Sequence, residues 1–170
     1  MSLSMYQASV PVFIHGLENL AHILGKAAAH AEAKKIDPSV FTTARLYPDM
    51  FALARQVQIA SDTAKGASAR LAGVDIPSWP DNETTFAELQ QRIAKTLEFL
   101  RGLNAGQIDG SEEKPVVLPT RSKGDIHLPG QNYLLRHALP NFFFHVSTAY
   151  GILRHNGVEI GKWDYLGKID

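Results

Sequence analysis

The stretch that most constrains this chain runs from Pro140 to Gly157, Pro-Asn-Phe-Phe-Phe-His-Val-Ser-Thr-Ala-Tyr-Gly-Ile-Leu-Arg-His-Asn-Gly. Extended back to Leu135, its apolar residues Leu135, Ala138, Phe142, Val146, Ala149 and Leu153 recur every three or four positions. That spacing is one face of a helix, and the face must be buried against other elements. The helix is expected to begin around Gln131. Pro140 falls inside it, lacks an N–H and crowds the preceding turn, so a kink or break is expected near Leu139. Gly157 supplies the left-handed stop.

Three more segments offer matching stripes. After Pro11, which suits a first helical turn, come Phe13, Leu17, Leu20, Leu24, Ala27 and Ala31, with Asp37-Pro38-Ser39 ending the run. From Pro48 to about Ala72 the stripe is Leu53, Val57, Ala60, Ala64, Ala67 and Leu71, and Gly73 stops it. Its alanines let a neighbour approach closely. Thr85 and Glu88 have capping-box spacing, and Phe86, Leu89, Ile93, Leu97 and Leu100 follow, with Arg101-Gly102 marking the end. Between the third and fourth helices the period changes. Pro115-Val-Val-Leu118 and Asp125-Ile-His-Leu128 read as strands joined by an Arg121-Ser-Lys-Gly124 turn, a small hairpin that needs the helices beneath it. His127 on it reads as exposed. Val158–Asp170 reads as an irregular tail whose Trp163, Tyr165 and Leu166 fold back onto the helices or onto a second subunit. The expected architecture is all-α: a four-helix bundle with a β-hairpin insertion between helices 3 and 4, one domain over residues 1–170. Residues 1–4 read as a remnant before a natural start at Met5.

Lys plus Arg and Asp plus Glu number 17 each, so the formal charge is zero and a general nucleic-acid surface is not expected. There is no Cys, which excludes disulfides, thiolate metal sites and a Cys nucleophile. No apolar run approaches the ~20 residues of a membrane span, and no charged-then-apolar leader precedes the first helix. A cytoplasmic location is the expectation. Nucleophile elbows, phosphate-binding glycine loops and dinucleotide fingerprints are missing from the sequence.

Few residues remain for chemistry. His145 borders the apolar stripe of the fourth helix, and Asn141 lies one turn before it on the same side, so both point into an interhelical groove. A His pair at this spacing is a common metal-ligand arrangement, but Asn is a poorer ligand for zinc-like metals. Three readings of His145 stay open: a hydrogen-bonded structural histidine, a metal ligand, or a metal-free acid/base or ligand contact. His137 and His155 read as solvent-facing. His15 and His22 share the face opposite the first stripe, as a two-His metal site or a solvated polar face. Gln56 and Ser61 flank the second stripe, and Gln58, Asp62 and Lys65 lie further round. Asp62 and Lys65 read as a surface ion pair of roughly 0.2–0.5 kcal/mol. Trp79, between Pro77 and Pro80, is a lid on the core edge or the wall of a ligand pocket.

Leu139 to Val158, together with Arg55-Gln-Val-Gln-Ile-Ala-Ser-Asp-Thr-Ala-Lys-Gly66 and Lys162-Trp-Asp-Tyr-Leu-Gly167, resembles an uncharacterised bacterial domain-of-unknown-function family of about this length. That family is similar to the DinB/YfiT-like superfamily of four-helix bundles. The resemblance implies a metal held by one His on the second helix and a His-x-x-x-His pair on the fourth, with thiol transferases and metal-dependent hydrolases among the members. Position by position, the pair falls on Asn141 and His145, and the second-helix position falls within Gln58–Asp62, where there is no His. The ligand-binding candidates are therefore His145, Asn141, Gln58 and Trp79. The candidate metal set is His145, Asn141 and Asp62, for a divalent ion such as zinc or nickel. Expected functions are small-molecule or metal binding in the groove, a non-catalytic homodimeric structural or stress-related module, or a metal-dependent hydrolase or thiol transferase.

Overall fold

The computed structural model describes residues 3–120 and 124–169. It is mostly helical, with one small antiparallel hairpin. The long helices are α1 (Val10–Lys34), α3 (Leu53–Ala72), α4 (Phe86–Arg101) and α7 (Leu139–His155). Short helices α2 (Ser39–Thr42), α5 (Ala105–Ile108), α6 (Gly130–Tyr133) and α8 (Lys162–Leu166) join or follow them. In space α1 packs on α4 and α7, and α3 packs on α4 and most extensively on α7. No helix among the described residues is long and apolar enough to cross a membrane.

The stripes of α1 and α3 are fully buried at every expected position, and that of α4 is buried throughout. Thr85 and Glu88 form the expected capping box, and the Thr84 and Thr85 N–H groups hold the Glu88 carboxyl down at about 2. Gly73 closes α3 at φ 73°. Strands β1 (Pro115–Thr120) and β2 (Gly124–Pro129) pair from Pro115↔Pro129 to Thr120↔Gly124. Residues Arg121–Lys123 of the expected turn lie outside the described residues.

Four expectations need correction. The second long helix begins at Leu53, not near Pro48: Met50 N–H closes a turn on Tyr47 O, and Leu53 N–H is taken by Ala44 O. The segment after Asp37 is not merely a stop, since Asp37 Oδ1 accepts from Ser39 N–H and starts the short α2. The tail is irregular except for the short helix α8 at Lys162–Leu166. Finally, Leu135 is 50% exposed. The residues Leu134–Ala138 form a π-helical turn, in which Leu139 N–H reaches back five residues to Leu134 O. This widened turn is how the chain meets the missing N–H and the bulk of Pro140 without breaking. It also shifts the stripe by one residue, so Leu134 is buried in place of Leu135.

The crossing of α1 and α7 turns on Gly16. A Cβ there would lie 2.5 Å from Phe142 Cε1 and 2.8 Å from Cζ. Phe142 is fully buried and edge-on to Phe13, with ring centroids 5.1 Å apart. Gly16→Val is expected to cost ~1–3 kcal/mol through overpacking, read as a lower denaturant midpoint. An unchanged midpoint would show that the crossing is not limited by this contact.

Candidate functional site

The seam between α3 and α7 brings together the two residues singled out on the last long helix. Asn141 Nδ2 donates to Thr63 Oγ1 at 2.8 Å. His145 Nδ1 lies 2.7 Å from Gln56 Oε1. Gln56 Nε2 donates to Phe51 O at 3.0 Å, which orients the amide with its oxygen toward the imidazole. An amide oxygen only accepts, so His145 carries its proton on Nδ1 and presents Nε2 as a lone pair. Nε2 has no protein partner among the described residues and is not one of the sealed, unpartnered polar atoms. His145 as a whole is 6% exposed. Burial, reinforced by the nearby Arg55 charge, pushes its pKa down to about 4. The exposed ring of Phe144 stands edge-on to the imidazole, and Phe51, also exposed, lies under Arg55.

The residue facing His145 from α3 is thus Gln56, which lies just outside the Gln58–Asp62 window. The sequence marks Gln56 as flanking the buried stripe, but only the structure shows that this flank faces α7. Asp62 and Gln58 point the other way, toward α4. Asp62 Oδ1 is 2.9 Å from Arg92 Nη2 on α4 and 2.9 Å from Lys65 Nζ. Gln58 Nε2 donates to Glu83 Oε2 at 3.0 Å.

This placement bears on the metal implied by the resemblance. Asp62 is held on the far flank of α3 from His145. Gln56 Oε1 is used by the imidazole N–H, and Asn141 is turned to donate from its nitrogen. Among the described residues no group of three or more His, Asp or Glu side chains is assembled to hold a metal. A catalytic zinc-type site needs about three protein ligands, and Arg55 adds repulsion toward a cation. The residues around His145 therefore do not fit a resident divalent ion.

The α4 flank carries a closed ionic ring. Arg92, its side chain 1% exposed, donates to Asp81 Oδ1 at 2.8 Å, to Glu83 Oε1 at 2.9 Å and to Pro80 O at 3.1 Å. Asp81 is also paired with Arg55, Arg55 donates to Gln58 Oε1 at 3.1 Å, and Gln58 returns to Glu83. Burial works against the Arg92 charge, but its hydrogen bond to Glu83 and the fields of Asp62, Glu83 and Asp81 outweigh it and raise its pKa. Burial likewise opposes the Asp81 charge, yet Arg55 and Arg92 hold its carboxyl below the usual range. The ring pins the segment 73–85 across α3 and α4. Lys65 is not a surface residue but 4% exposed, with Nζ 4.1 Å from the centre of the half-buried Trp79 ring.

His15 and His22 are both exposed, on the polar face opposite the α1 stripe. Helix α8 docks on them: His15 Nε2 is 2.7 Å from Leu166 O, and His22 Nε2 is 3.1 Å from Asp164 Oδ1. Lys26 and the Gly161 N–H hold the Asp164 carboxyl at about 2. Gly167, at φ 66°, lies so close to Asn19 that a Cβ would meet Oδ1 at 2.1 Å. The tail is thereby folded back on its own chain. His137 is half-buried and stacked on Tyr133, not solvent-facing, whereas His155 and His127 are exposed.

The depressed His145 pKa has a signed consequence. Between its folded value near 4 and the ordinary 6.5, the unfolded chain binds the extra proton. Stability therefore rises with pH across that window and is lost as pH falls through it, by roughly 3 kcal/mol at the limit. His145→Leu should flatten the difference in unfolding free energy between pH 6.5 and 4 relative to wild type. An identical slope in the two proteins would show that His145 titrates normally.

The family described as "Domain of unknown function (DUF1993)" matches residues 5–166. The crystal structure of a DinB family member protein from Shewanella denitrificans is similar at 46% identity and a TM-score of 0.90, covering 96% of this chain and 92% of that one. No curated protein matches the chain significantly. With nearly its whole length matched, the chain belongs to DUF1993, a DinB-like family of unknown function.

Proposed function

We propose that this DinB-type four-helix bundle binds a small molecule at the mouth of the α3–α7 groove, without a resident metal. The observation that carries this reading is the imidazole of His145, oriented through Nδ1 by Gln56 and left with an unpartnered Nε2. A pKa near 4 leaves it neutral at neutral pH. That makes it a poor general base, since efficient proton transfer wants a pKa near the working pH, but a good fixed acceptor for a ligand N–H or O–H. Phe51 and Phe144 add exposed aromatic surface beside it, and Arg55 adds a positive field. Hydrolysis or thiol transfer of the metal-dependent kind would need a donor set that these residues do not assemble.

A fragment screen followed by imidazole and aromatic NMR signals tests the proposal. Fragments carrying a hydrogen-bond donor should perturb His145 and Phe144 together, and binding should disappear in a folded His145→Ala variant. Zinc and nickel should bind no more tightly to the wild type than to that variant. Fragments that ignore His145, or tight zinc binding that His145→Ala abolishes, would overturn the reading.

A second reading is favoured by the exposed Leu46, Tyr47 and Phe51 before α3 and Phe143 and Phe144 on α7. These suit a homodimer interface over the groove, in place of the tail, which is occupied with its own chain. Sedimentation of wild type and Phe144→Glu distinguishes the two: a dimer lost in the variant supports it, and a monomer in both sinks it.

A further inference from the structure

A second site is built on the opposite flank of α3, beneath the segment 73–85. A cavity of about 290 Å³ there is lined by Asp62, Lys65, Arg70, Ile76, Ser78 and Trp79, among others. Its cations are poorly neutralised. Lys65 is 4% exposed. Its Nζ lies 2.9 Å from Asp62 Oδ1, a carboxylate oxygen that it shares with Arg92. One face of the ammonium is against the Trp79 ring, which attracts it without satisfying its N–H groups.

Charge on this flank does not balance. Four cations, Arg55, Lys65, Arg70 and Arg92, stand against three carboxylates, Asp62, Asp81 and Glu83. Asp81 and Glu83 are committed to Arg55 and Arg92. Asp75, in the same segment, makes no ion pair among the described residues and does not line the cavity. The charge left over is that of Arg70, whose one hydrogen bond among the described residues is a long one of 3.4 Å to Tyr133 Oη. Arg70 folds over Gly66, where a Cβ would meet its Nη1 at 2.7 Å, so a glycine in mid-helix makes room for the guanidinium beside the cavity.

We infer that the Trp79 cavity binds a small oxyanion, a carboxylate or phosphate group held by Lys65 and Arg70 with the Ser78 hydroxyl beside them. Lys65 has to share its one carboxylate with Arg92 and Arg70 has no carboxylate partner among the described residues, so an anion in the cavity gains charge-assisted hydrogen bonds from both. Ile76 and Trp79 provide the apolar wall for whatever the anionic group is attached to. This site shares no ligand residue with the His145 groove, so either can fail alone.

Trp79 reports on its own cavity once the other indole is removed, and Trp163 is 68% exposed on α8, so Trp163→Phe is a tolerable background. In that protein, titration with benzoate and with inorganic phosphate, at ionic strength held by sodium chloride, should give a saturable change in Trp79 emission. Saturation by benzoate alone assigns an organic carboxylate, and saturation by phosphate alone assigns a phosphate group; either supports the site. Arg70→Gln, a half-exposed position, should weaken the midpoint by about ten-fold or more while the circular dichroism is unchanged. Lys65→Met should do the same, and if it fails to fold, Arg70→Gln decides. No saturation by tens of millimolar of either anion, an equal response to neutral benzamide, or an unchanged midpoint in Arg70→Gln would overturn the inference.

Discussion

Everything that distinguishes this structure depends on the small side chains of α3. Ala60, Ala64 and Ala67 are fully buried and leave little bulk between this helix and its neighbours. Both α7 and α4 therefore come close, and the polar residues beside the stripe are caught in the two seams. On one flank Gln56 and Thr63 meet His145 and Asn141. On the other Gln58, Asp62 and Lys65 meet Arg92 and the segment 73–85. A larger stripe would have held these groups apart and left them in water, where none would need a specific partner.

The two flanks are not electrically separate. Arg55 closes the ionic ring through Asp81 and Gln58, and the same guanidinium helps depress the His145 pKa. Because the ring holds Arg55 in place, its field at the imidazole is a fixed feature and not that of a wandering surface side chain. The site around His145 is consequently neutral, aromatic and biased against cations. That combination separates it from the three-ligand metal centre that the wider superfamily suggests, and it does so through the chemistry of the donors present.

Much of the fold was legible from spacing alone. Stripes of α1, α3 and α4, the Thr85–Glu88 box, the Gly73 stop and the strands of the hairpin follow from rules that act within a few residues. What escaped depended on partners far away in sequence. Leu135 is a local exception: a constant helical period puts it in the core and cannot anticipate the π-helical turn that accommodates Pro140. Helix α8 escaped because it is only five residues long and is held by Asn19, His22 and Lys26 on α1, far away in sequence. In the candidate site, His145 and Asn141 could be placed on one side of their helix. Their α3 partners could not, since an angle count does not say which flank of α3 meets which neighbour. Arg92 is the clearest omission: nothing local marks one arginine in an amphipathic helix as the hub of three carboxylates.

The central claim is that His145 is a neutral imidazole oriented through Nδ1, with Nε2 free for a ligand. Long-range proton–nitrogen NMR correlation of the His145 ring across a pH titration tests it most directly. The account predicts an Nδ1–H tautomer at neutral pH and a titration midpoint near 4, moving toward ordinary histidine values when Gln56 is replaced by Ala and the seam is opened. A protonated Nε2 at neutral pH, or a wild-type midpoint close to 6.5, would contradict it.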